Sequence, residues 1–83
     1  MYRVVVSIKR EGDSHGRDLE LPAELPVGQL TPLIIQSLGW LPGAYHLHAF
    51  PPGRVLQEHE TLASAGVWDG AWLIARTAVP VPR

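Results

Sequence analysis

His46 and His48 are the residues whose types and spacing best suit chemistry, because they alternate with apolar neighbours over residues 44–50. Tyr45, Leu47 and Ala49 would share one strand face, leaving His46, His48 and Phe50 on the other. Two imidazoles on one strand face can reach a metal, but a stable site needs further donors. The chain has no cysteine, and no nearby carboxylate pair completes the set, so these read as surface histidines. They remain able to tune binding where imidazole charge changes, near pH ~6.5. Glu58-His59-Glu60 offers acid and base types side by side. Adjacent loop residues point in different directions, and no serine or cysteine nucleophile has a defined partner, so solvated charge is the reading. Gly53, Gly66 and Gly70 read as turn residues, since no Lys-Ser/Thr pair follows a glycine run as a phosphate-cradling loop requires. No catalytic residue, metal ligand or cofactor-binding residue is assigned, and the expected action is binding.

Composition narrows the partner. Eighty-three residues hold one core, and 46% hydrophobic with 18% charged residues suits a folded chain rather than a disordered one. Lys+Arg 7 against Asp+Glu 8 leaves a net charge of -1 with no basic stripe, which argues against nucleic acid. No apolar run approaches the ~20 residues that span a bilayer, and the amino terminus lacks a signal-peptide pattern. Cytoplasmic residence is the expectation.

These residues must be held by a small set of elements. Tyr2 to Lys9 is β-branched with period two, placing Tyr2, Val4, Val6 and Ile8 on one face and Arg3, Val5, Ser7 and Lys9 on the other. Turn residues 11–16 and the alternation of Leu19 and Leu21 with charges complete an amino-terminal hairpin. Val27, Leu30, Leu33, Ile34 and Leu38 fall at helical spacing, with Gly39 at a left-handed stop. Pro32 interrupts that pattern. Either Thr31 caps a short helix, or a first turn precedes a local bend; the apolar Val27 and Leu30 favour the bend. Strands over 44–50 and 71–77, a short strand within 54–57 and a helical turn over 61–66 follow, with Asp69-Gly70 as a turn. The order predicts an α+β roll, a mixed sheet crossed by one helix, over residues 1–77, with an extended linker-like tail over 78–83.

Leu56, then Thr61-Leu62-Ala63-Ser64-Ala65-Gly66-Val67-Trp68-Asp69-Gly70, together with Leu21-Pro22-Ala23-Glu24-Leu25-Pro26-Val27 and Leu30-Thr31-Pro32-Leu33, resembles the ubiquitin-like superfamily and its YukD/EsaB branch. It is equally similar to the amino-terminal domain of EccD proteins. Both belong to bacterial type VII (WXG100) secretion systems. The resemblance spans about residues 3 to 76 and implies a β-grasp fold that acts as a non-catalytic adaptor or regulator of the secretion apparatus. A protein partner from that apparatus is implied, with self-association as a second arrangement. Pro32 fits the habit of the family. Conjugated ubiquitin-like proteins end in Gly-Gly, whereas Pro80-Val81-Pro82-Arg83 closes this sequence; a protein modifier or sulfur carrier is the disfavoured alternative. The tail also suits a linker into a longer membrane protein, as in EccD.

In such a roll the first, third and last strands are neighbours. If Leu73 and Ala75 point inward, Trp72, Ile74 and Arg76 point outward beside Val5, His46, His48 and Phe50. These side chains form the expected partner-binding patch, with Trp68 exposed at its edge and Trp40 packed on the core. A one-residue slip in register would turn the whole set inward.

Overall fold

The computed structural model describes residues 2–41 and 43–77. The extended tail expected over 78–83, and with it the boundary after residue 77, lies outside the described residues. The chain begins with β1 (Arg3–Arg10) and β2 (Arg17–Pro22), an antiparallel pair in which Val4 opposes Leu21 and Ile8 opposes Arg17. The helix α1 (Val27–Leu38), strands β3 (Tyr45–Phe50) and β4 (Arg54–Val55), the short α2 (Leu62–Ala65) and β5 (Trp72–Thr77) follow. The sheet order is β2-β1-β5-β3-β4, with β5 parallel to β1 and antiparallel to β3. This is the α+β ubiquitin-like roll expected from the sequence.

Period-two sequence converts directly into sidedness. Along β1, Val4, Val6 and Ile8 are buried, whereas Arg3, Val5, Ser7 and Lys9 stand on the other face. On β3 and β5 the inward residues are Leu47, Ala49, Leu73 and Ala75. The helix covers this inner face with Val27, Leu30 and Ile34, all buried. Leu33 departs from the expected apolar stripe, since it is 50% exposed. Val27 and Ile34 fall to one side of Leu30 around the helix, whereas Leu33 falls about 60° to the other side, outside the covered stripe.

Pro32 lies inside a helix assigned continuously from Val27 to Leu38, where the sequence predicted a first turn and then a bend. The proline nitrogen has no hydrogen to donate to the carbonyl four residues back. One residue earlier, the Thr31 Oγ1 hydroxyl donates to the Val27 carbonyl at 2.9 Å. At the amino end no side chain caps the helix; the Val27 and Gly28 amides donate instead to the carbonyls of Glu60 and Glu58, at 2.7 and 2.9 Å. At the carboxyl end Gly39 takes φ 70°, and paired bonds from Gly39 to Gln36 and from Trp40 to Ile35 close the last turn. Thr61 and Ser64 form a reciprocal capping box on α2, each side chain accepting the other's amide at 3.0 Å.

Candidate functional site: the open face of the sheet

The helix covers one face of the sheet and leaves the other open, so register decides which side chains meet there. His46 opposes Arg76, His48 opposes Ile74 and Phe50 opposes Trp72 across β3 and β5. On the far side of β5, Trp72 opposes Ser7 and Ile74 opposes Lys9. Directly opposed residues share a face, so two rows form. One runs Val55, His48, Ile74, Lys9; the other runs Phe50, Trp72, Ser7, Asp18. Val5 lies one outward step along β1 from Ser7. The inward register of Leu73 and Ala75 holds, and the feared slip is absent.

Local packing fixes the aromatic members. The imidazole of His48 stacks on the ring of Phe50, centroids 4.5 Å apart and planes 5° from parallel. The His48 Nδ1 atom is shut away from solvent with no hydrogen-bond partner among the described residues. The indole of Trp72 reaches across β1 to Gly16, where a Cβ would fall 2.6 Å from its Cζ3 atom. Glycine at 16 therefore gives the ring its seat. Despite that cover Trp72 is 41% exposed, and Phe50, Val5 and Val55 are similarly open.

Trp68 is 61% exposed and stands on the turn into β5. That turn is fastened to β1. The Val5 amide donates to Asp69 Oδ1 and the Gly70 amide donates to the Val5 carbonyl, both at 2.8 Å. Trp68 immediately precedes this tether, and its carbonyl accepts from the Ala71 amide at 3.0 Å. Trp40, by contrast, is half-buried, packs against the core and lies 5.9 Å from the Tyr45 ring.

Charge surrounds the apolar rows in pairs. Arg3 meets Glu20 at 3.4 Å and Arg76 meets Glu11 at 3.4 Å, while off this face, on the side of the inward Ala49, Arg54 grips Glu60 with two bonds of 2.6 and 2.8 Å. The Arg54 guanidinium, aided by the Gln57 amide, holds the Glu60 carboxyl down to about 2. Glu60 is thus a brace between β4 and the loop that caps α1, not half of an acid/base pair. Among the described residues no group of three His, Asp or Glu could hold a metal ion, His46 and His48 included. Sequence reasoning missed Val55. Its outward position follows only from pairing with His48, which a two-residue strand after Pro51-Pro52-Gly53 does not advertise.

Comparison with known proteins now adds to this geometry. Residues 3–74 match the family model described as "WXG100 protein secretion system (Wss), protein YukD". The chain belongs to the YukD family. No curated protein matches it. Among solved structures it is similar to the ubiquitin of Caldiarchaeum subterraneum, at 24% identity and TM-score 0.73, covering 98% of this chain and 100% of that one. It is also similar to the carboxy-terminal ubiquitin-like domain of mouse tubulin-specific chaperone e, at 19% identity and TM-score 0.73, covering 98% and 92%. These two share the fold with the YukD-family chain. A chain of protomer 1 of the ESX-3 core complex aligns at 30% identity and TM-score 0.71 over 99% of this sequence. The present chain spans only 20% of that chain's length. Family and fold together make this a ubiquitin-like protein of type VII secretion, and no helix among the described residues is long and apolar enough to cross a membrane.

Proposed function

We propose that this YukD-family protein works as a non-catalytic adaptor, docking the open face of its sheet onto a cytoplasmic protein of the secretion apparatus. The observation that carries the reading is the register-matched cluster of Phe50, Trp72, His48, Ile74 and Val55, with Val5 farther along β1, and the exposed Trp68 on the turn into β5 is counted with it. Folding spends no helix on this face, yet it displays two large aromatics and several aliphatics in adjoining positions. Monomeric domains seldom expose apolar side chains so contiguously without a use. Tryptophan in particular dominates the energetics of many interfaces. The rings are already seated, on Gly16 and on His48, so a partner need not pay much ordering entropy to meet them. His48 lies in the first of these rows, and His46 stands two residues along β3 from it, opposite Arg76.

An affinity pull-down from membranes and cytosol, comparing wild type with Trp72→Ala/Ile74→Ser, tests this. Secretion-apparatus proteins are expected with wild type and lost with the double variant, whose fold is checked by circular dichroism. Equal recovery by both proteins would move the site off the open face. Recovery of no secretion component by either would remove the adaptor reading.

A further inference from the structure

The two rows on the open face complement each other. The row Val55, His48, Ile74, Lys9 ends in a cation on β1, and the row Phe50, Trp72, Ser7, Asp18 ends in an anion on β2. Toward β3 both rows are apolar or aromatic. Neither end charge has an ion pair among the described residues. The Lys9 ammonium donates to the Asp13 carbonyl at 3.2 Å, and Asp18 Oδ1 accepts the Ser7 hydroxyl at 2.8 Å.

A two-fold axis laid across the strands, between these rows, turns each row onto the other. His48 then meets Phe50 of a second copy, Ile74 meets its Trp72, and Lys9 meets its Ser7 with the bonded Asp18. The contact is isologous, so each pairing occurs twice. Farther out, Arg76 falls over the Asp69-Gly70 turn of the second copy, because that turn is bonded to Val5 and lies as far from the axis as Arg76 does. An axis along β5 would instead set Lys9 against His48 and carry Asp18 to the β4 side, so charge selects the first arrangement. A net charge of -1 on each chain opposes the meeting little.

We infer that, without another partner, the open face of this protein packs on the open face of a second copy, as a reversible two-fold dimer that sets Ile74 against Trp72 and Lys9 against Asp18. This dimer rests on the same reading of the face as a docking surface, and it regulates that surface. A face covered by a second copy is withheld from the secretion apparatus, and dissociation releases it. Five strands about 4.8 Å apart, with the central β5 six residues long, make a face about 20 Å on each side, or about 400 Å² in plan. Stable complexes bury about 800 Å² on each partner, so this pair belongs to the small, exchanging class.

Sedimentation equilibrium of the purified chain, from about 10 µM to about 1 mM, tests this. Wild type is expected to pass from one chain to two with a Kd on the order of 100 µM. Lys9→Glu and Asp18→Lys each bring like charges together twice and should raise Kd about tenfold. An equimolar mixture of the two variants restores both opposite-charge pairs and should return Kd to the wild-type value. Circular dichroism checks that each variant folds, and a misfolded variant could not produce that recovery. Trp72→Ala/Ile74→Ser should remain a single chain throughout. A wild type that stays monomeric, a dimer that persists in the double variant, or a mixture that associates no better than either charge variant alone would overturn the dimer. No other protein is present, so these results stand apart from the pull-down. A monomeric wild type whose secretion proteins are still lost with the double variant removes the dimer and keeps the adaptor; a dimer that recovers no secretion protein does the reverse.

Discussion

Gly16→Ala should destabilise the fold, and lose most of that effect once Trp72 is gone. The added Cβ would meet Trp72 Cζ3 at 2.6 Å and Cη2 at 2.8 Å. Carbon atoms rest about 3.5–4.0 Å apart, so the ring edge must retreat by about 1 Å. Overpacking of this kind costs about 1–3 kcal/mol, and a ring on an open face belongs near the lower limit. Gly16 has no positive φ, so alanine fits its backbone and stiffens the unfolded chain, a gain of about 0.4–1 kcal/mol. The net expectation is a loss of about 0.5–1 kcal/mol, a few degrees of melting temperature for a domain this size. In a Trp72→Ala background the ring clash disappears, leaving the gain set against a 3.3 Å approach to the Ile8 carbonyl. Thermal and urea melts of the four proteins form a double-mutant cycle with an expected coupling of about 1–1.5 kcal/mol. The Trp72 indole proton resonance should move in Gly16→Ala, while those of Trp40 and Trp68 stay. Effects that add within about 0.5 kcal/mol, with an unmoved resonance, would show that the ring does not rest on Gly16.

Acid titration should expose the Arg54–Glu60 brace. The Glu60 carboxyl is depressed from 4.5 to about 2, so its contribution is complete above pH 4.5 and fades as pH falls toward 2. Glu60→Gln should flatten that part of the stability–pH curve, and an unchanged slope would dismiss the brace. Thr61→Ala breaks the capping box and should cost about 1 kcal/mol in urea unfolding, with Ser64→Ala showing a smaller effect. Pro32→Ala restores an amide donor inside α1 and should raise stability by about 1 kcal/mol, the regained helix bond outweighing a looser unfolded chain. A fall in melting temperature would mean that the proline ring packs in a way the missing hydrogen bond does not reveal.

Much of this was legible in the residues. Alternation over β1 and β3 told which side chains turn inward, because one face of a sheet must find apolar cover and the other need not. Helical spacing gave α1 its limits, and Gly39 marked its stop. The outward row of Trp72, Ile74 and Arg76 followed from strand adjacency in the roll. What escaped depends on contacts distant in sequence. Leu33 looked like core because spacing alone cannot say how wide the covered stripe is. The continuity of α1 through Pro32 rests on tertiary packing, since its first amides are satisfied by a loop thirty residues onward, at about the Glu58–Glu60 carbonyls. The outward place of Val55 depends on where a two-residue strand falls, and propensity places such ends poorly.

The position of β5 has a consequence for how this chain reaches its fold. The last strand of this sheet in chain order is its middle strand, wedged between β1 and β3, and its Leu73 and Ala75 complete the core. Until it emerges from the ribosome, β1 and β3 have no common neighbour and α1 has half a surface to lie on. The hairpin and helix can form locally, but the cooperative transition waits for the carboxyl-terminal strand and for the long-range closures that it brings. Until β5 is made, nascent chains of this protein leave the apolar faces of β1 and β3 without their shared neighbour, and the abundance of the folded domain should respond to chaperones that shelter emerging polypeptides.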